Sequence, residues 1–172
     1  PGCTDNHPMP TTDDLLARLR RIEAERDIQQ LILSYGPAAD AGLTERAAAV
    51  WADDGVYDWD ARGAPHEGRA AVDRMLQGRQ HQSLIAGGAA HFAGPALISV
   101  DGDTATALNY SLIMLREEDH HSLWRVSAAR WDLARVDGSW RVTCRSNRLL
   151  DATGAGRVLF GETISAEFPL DD

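Results

Sequence analysis

Residues 96–115 read ALISVDGDTATALNYSLIML and residues 123–150 read LWRVSAARWDLARVDGSWRVTCRSNRLL, and these two stretches decide the fold. Each holds two apolar, partly β-branched runs around an Asp-Gly: Asp101-Gly102 in the first, Asp137-Gly138 in the second. Asp-Gly between such runs signals a hairpin, because glycine supplies the positive φ of a tight turn. Strands are therefore expected over 96–100, 104–115, 123–136 and 140–150. The charged run Glu117-Glu118-Asp119-His120-His121 turns the chain between the middle two. From about Ala89 onward the pattern is a β-meander.

Before the meander the period changes. Residues 11–35 read as a helix, with Thr12 as its cap, Asp13 and Asp14 at its positive end, and Leu15, Leu16, Leu19, Ile22, Ile28, Leu31 and Ile32 at helical spacing. A break is expected at Gly36-Pro37, since proline lacks the backbone donor and clashes with the preceding turn. A second helix is expected over 44–52, a short strand at Val56, Tyr57 and Trp59, and a third helix over 69–80 after Gly68. Helices in front and a meander behind indicate an α+β fold, a curved antiparallel sheet folded over helices. At 172 residues the prior is about one domain. We divide it into a leader (1–10), a body (11–151) and a tail (152–172). In the tail, Val158, Leu159, Phe160, Ile164 and Phe168 are expected to close over the open end.

Composition narrows the function classes. Hydrophobic residues are 44% and charged residues 25%, which is globular usage and excludes wholesale disorder. Asp plus Glu is 26 against 17 Lys plus Arg, a net charge of −9, which opposes binding to nucleic acid or an anionic membrane. No apolar run approaches the length of a membrane span. The opening PGCTDNHPMP lacks the basic and apolar regions of a secretory signal, and Met9 is a candidate natural start after an expression remnant. Cys3 in the polar leader and Cys144 in a strand are poorly placed to pair. Their usage suits a reducing cytoplasm, the expected location.

The order of elements resembles the SnoaL-like proteins of the nuclear transport factor two-like superfamily. The resemblance covers about residues 17–150. It rests on RIEAERDIQQLILSYGPAADAG (21–42), WADDGVYDW (51–59), HFAGPALISVDGDTATALNYSLIML (91–115) and RWDLARVDGSWRVTCRSNRLLD (130–151) in succession. It implies a cone-shaped α+β barrel, its bent sheet wrapped around the long first helix and its apolar pocket open at the wide end. Polyketide cyclases, ketosteroid isomerases, scytalone dehydratase, limonene epoxide hydrolase and binding modules share that fold, so function has to come from the site.

Asp40, just past the first helix, and His91, at the start of the meander, are the leading candidates. A carboxylate holding one imidazole nitrogen fixes the tautomer and leaves the other nitrogen as a general base. The resemblance implies such a dyad at these two points, as in members close to bile-acid 7α-dehydratase and hexachlorocyclohexane dehydrochlorinase. By itself, an Asp after a helix also reads as a cap, and a lone His in a strand as a satisfied polar group. Tyr35, five residues before Asp40, is either a donor to a substrate oxygen or a core aromatic. On an ideal helix the two diverge by roughly 140°, so a shared face would need a bend at Pro37. Arg145 either lines the pocket, as the resemblance suggests, or lies on the sheet surface in alternation with Arg141 and Thr143. Trp59, Phe92, Tyr110 and Trp131 are candidate substrate contacts, though Trp131, like Trp140, also reads as core. His120-His121 with its acidic neighbours reads as a solvated hairpin tip rather than a metal site. Asp53-Asp54-Gly55 reads as a turn, and Asp58 with Asp60 as paired acids.

The expected function is a cofactor-independent, metal-free lyase, dehydratase-like, acting on a cyclic, largely apolar small molecule. The alternatives are an isomerase or polyketide-type cyclase using the same dyad, or a non-catalytic ligand-binding module. A homodimer or homotrimer is expected, because Leu108, Tyr110, Leu112, Trp124 and Val126 would otherwise leave an apolar sheet face bare.

Overall fold

The structure is a computed structural model and describes residues 9–59 and 64–169. Cys3, most of the leader and Asp60 lie outside those residues. So do the expectations about pairing Cys3 with Cys144 and Asp58 with Asp60.

Helix α1 (Thr12–Asp40) opens on a capping box, in which Thr11 and Asp14 exchange side-chain and backbone hydrogen bonds. The cap is therefore Thr11, one residue before the expected one. Leu15, Leu16, Leu19 and Ile22 are exposed, and the helix becomes core only from Ala24 onward. It does not break at Gly36-Pro37 but runs through to Asp40. Proline removes only the bond to the carbonyl four residues back, that of Leu33, which is itself exposed. The true stop is Gly42, whose φ of 70° lets Leu43 donate back to the carbonyl of Ala38 at 2.9 Å.

Helix α2 (Thr44–Ala48) is shorter than expected, because strand β1 (Trp51–Asp58) takes over at Trp51. Asp53-Asp54-Gly55 is not a separate turn but an irregularity inside β1. Strand β2 (His66–Glu67) and helices α3 (Arg69–Gln77) and α4 (Arg79–Ala86) follow. The third expected helix is thus two, divided at Gly78, whose extended backbone (ψ 149°) cannot continue a helix. The meander comprises β3 (Ala90–Ala93), β4 (Leu97–Asp101), β5 (Thr104–Glu117), β6 (His120–Val136) and β7 (Ser139–Leu149), and α5 (Ala155–Glu167) closes the chain.

The strands form one seven-stranded sheet in the order β2-β1-β7-β6-β5-β3, with β4 also on β5. Its pairings are antiparallel except β1 with β7, which is parallel. The sheet is therefore mixed, where an antiparallel one was expected. Ile28, Ile32, Trp51, Trp131 and Val142, all fully buried, fill the space between α1 and the sheet.

Helix α5 does not close the open end. It lies on the other side of the sheet, where Phe160 meets Tyr110 at 4.9 Å between ring centroids and Glu167 reaches Arg130 at 3.6 Å. Leu108, expected on a bare face, is buried in the chain itself. No helix among the described residues is long and apolar enough to cross a membrane.

Candidate active site

The site begins where β3 leans on α1. Gly36 faces the backbone of His91 so closely that a Cβ there would sit 2.1 Å from the His91 carbonyl oxygen. Only glycine permits that approach. One turn further along α1, Asp40 reaches over to the same residue. One carboxylate oxygen accepts the His91 backbone N–H at 2.8 Å and the other lies 2.5 Å from Nδ1. Held this way, Nδ1 carries the proton and Nε2 is left as the basic nitrogen, with no protein partner among the described residues.

His91 lines a cavity of about 90 Å³ that opens to solvent. Tyr35, Tyr57, Trp59 and Phe92 also line it, with Met75, Leu84 and Ile113 among the apolar remainder. Asp40 is not in the wall and touches the cavity only through His91. Tyr35 and Asp40 therefore need no common face: one points inward and the other grips the neighbouring strand.

Arg145 is the other unusual group. It is 2% exposed, yet no carboxylate among the described residues is seen to pair with it. Its guanidinium lies over Trp131 at 3.9 Å and over Tyr35 and Tyr57 at 4.9 and 5.0 Å, with one hydrogen bond from Nη2 to the Ser111 hydroxyl. Nε and Nη1 have no hydrogen-bond partner among the described residues. Burying a cation costs several kcal/mol, and cation–π contacts of roughly 0.5–2 kcal/mol each offset only part of that. Two bare donors on a caged cation form a site for an oxygen bearing negative charge. The cage also acts on Tyr35: burial pushes its phenol well above the usual range, so it stays a neutral O–H.

A SnoaL-like domain model matches residues 20–146. The chain belongs to the SnoaL-like family. This SnoaL-like chain is similar to a solved protein from Novosphingobium aromaticivorans described as nuclear transport factor two-like with a cystatin-like fold. The two are 41% identical over 88% of this chain and 98% of that one, with a TM-score of 0.84. Two further solved proteins from the same organism share the fold at 22% identity. One, provisionally named an aromatic ring hydroxylase, has a TM-score of 0.62 over 76% of this chain and 91% of its own. The other, provisionally named a scytalone dehydratase, has a TM-score of 0.61 over 82% and 89%. No curated protein matches.

Within this SnoaL-like domain, the structure brings Asp40, His91, Tyr35, Arg145, Trp59 and Phe92 together, and it leaves out two expected contacts. Trp131 lies beneath the wall as a platform for Arg145, its indole N–H donating to Asn109 at 3.1 Å. Tyr110 is on the opposite face of the sheet, against Phe160. Trp124, expected on that outer face, stands at the cavity instead, because it is the extra residue of a bulge opposite Ile113 and Met114. Arg145 owes its inward direction to another bulge. Asp132 pairs with Cys144 but Leu133 with Val142, so Thr143 is skipped and the alternation resets. Without it Arg145 would share the outward face of Arg141.

Four wall residues carried no usable signal in the sequence. Tyr57 is placed by its register with Arg145 across β1 and β7, and Asn147 by following Arg145 two residues on. Ser111 and His81 sit in a strand and a polar helix with nothing to mark them. Among the described residues no three of His, Cys, Asp or Glu are grouped as a metal would require.

Proposed function

We propose that this chain is a cofactor-independent lyase that removes a proton from carbon and expels a β-oxygen, as a dehydratase does, on a cyclic small molecule. The observation that carries this reading is the pairing of a dyad-held imidazole with a caged, uncompensated guanidinium on one cavity. His91 Nε2 takes the proton from the carbon next to a carbonyl, and Asp40 balances the imidazolium that forms. The electron pair moves onto the carbonyl oxygen as an enolate, held by the bare donors of Arg145 with Tyr35 as a neutral donor beside it. When the enolate collapses, a carbon–carbon double bond forms and the β-hydroxyl leaves, taking the proton from His91 to depart as water.

The test does not need the natural substrate. Cyclic ketones such as 2-tetralone and β-hydroxy derivatives of them are incubated with the protein in heavy water. Deuterium at the α-carbon is followed by nuclear magnetic resonance, and loss of water by mass spectrometry. Exchange and dehydration that vanish in His91→Ala support the reading. Exchange that persists in His91→Ala overturns it, and exchange without dehydration shifts it to an isomerase or cyclase.

A further inference from the structure

The reaction proposed above gives no task to His81, although it stands in the same cavity wall. It comes from α4 and is 6% exposed. Its Nδ1 lies 2.9 Å from the carbonyl oxygen of Leu76. A carbonyl can only accept, so Nδ1 carries the proton and Nε2 of the neutral ring presents a lone pair. Burial, followed by the nearby His91, pushes its pKa below the ordinary histidine value, so a second proton is disfavoured. Nε2 is shielded from solvent and has no partner among the described residues. The ring lies 5.4 Å from that of His91, centroid to centroid, at 37° between planes, and no hydrogen bond joins them. His81 is thus not a direct proton donor to the dyad. A buried acceptor with nothing to accept is costly unless a ligand supplies the missing donor.

We propose that His81 reads a hydroxyl group on the ligand, Nε2 accepting a hydrogen bond from an O–H carried by the ring that His91 attacks. The inference takes the cavity as the substrate site, as the proposed reaction does, and narrows the substrate class. Arg145 can only donate and His81 can only accept. The wall therefore asks for one oxygen without a proton and one with it. A hydroxylated cyclic ketone meets both demands; a fully methylated ether meets only the first, and an unsubstituted hydrocarbon meets neither.

The test is calorimetric titration of the full chain with 2-naphthol and 2-methoxynaphthalene, which present the same ring with and without the donor. The wild type should prefer 2-naphthol by about tenfold, the worth of one net hydrogen bond in a dry site. His81→Asn keeps an amide N–H at the Nδ1 position for Leu76 but has no atom at Nε2, so the preference should fall to about twofold or less. His81→Gln places an amide oxygen near the Nε2 position and should recover most of it. Circular dichroism establishes that both variants are folded, and the Gln variant keeps the comparison valid if the Asn variant is not. An undiminished preference in His81→Asn, no preference in the wild type, or no binding of either compound overturns the proposal. Because no turnover is measured, failure here leaves the elimination chemistry standing, and failure of the deuterium test leaves this result standing.

Discussion

Gly36→Ala adds one methyl group where α1 and β3 touch, and the structure sets how far the two must part. The new Cβ would lie 2.1 Å from the His91 carbonyl oxygen and 3.2 Å from its carbonyl carbon, whereas real Cβ contacts stay beyond 3.0 Å. The obstruction is backbone, so no side chain can swing aside. Moving β3 off the helix by about 0.9 Å stretches the Asp40–His91 hydrogen bonds to about 3.4 and 3.7 Å, at or past the limit of a useful bond. Overpacking of this kind costs about 1–3 kcal/mol, and a hydrogen bond to a charged group about 1.5–3 kcal/mol. The combined loss is about 2–5 kcal/mol, since the two effects overlap, and for a domain of this size that lowers Tm by about 5–15 °C. Thermal melts measure it, and the downfield proton resonance of His91 Nδ1 reports the dyad separately. Gly161→Ala in α5 is the control: nothing lies within 4 Å of its Cβ, so it should be neutral or stabilising by up to about 1 kcal/mol. A Gly36→Ala protein that melts within about 1 °C of wild type with its Nδ1 resonance intact would refute the clamp.

Asp40→Asn and His91→Ala should each cost most of the deuterium exchange, and their double mutant little more, because the pair acts as one unit; losses that multiply would argue against a dyad. Arg145→Met removes a buried cation that has no counter-ion among the described residues. It should leave Tm unchanged or raised while slowing exchange by about 10²–10³, and equal losses in both measurements would make Arg145 structural. The depressed basicity of His81 has a defined sign: below about pH 6.5 the unfolded chain holds more protons than the folded one, so folding weakens as pH falls. Urea melts between pH 7.5 and 5 should show a shallower decline in His81→Asn, and parallel curves would contradict it. Leu15, Leu16, Leu19 and Ile22 on α1, with Leu123 on β6, remain exposed, so a homo-oligomer is expected; sedimentation equilibrium at micromolar concentration showing monomer alone would rule it out.

What was legible in the sequence, and what was not, divides along a physical line. The Asp-Gly hairpins, the presence of α1 and the α+β order are local signals, decided by turn chemistry and periodicity within a few residues. The dyad was legible only through the family resemblance, because 51 residues separate its members and the contact depends on Gly36 admitting β3. The errors fall where the regular pattern breaks. A helix read as ending at Gly36-Pro37 continues, and that extra turn carries Asp40 to His91. A strand read as strictly alternating skips Thr143, and the skip turns Arg145 inward. Another bulge delivers Trp124 to the cavity. Each departure works against a periodic rule that maximises burial of apolar groups, and each places a polar or aromatic group where that rule would not. A site needs this. Uninterrupted alternation along β7 would have turned Cys144, Ser146 and Arg148 inward and left Arg145 on the outer face, so pattern reading fails at the positions the proposed chemistry requires.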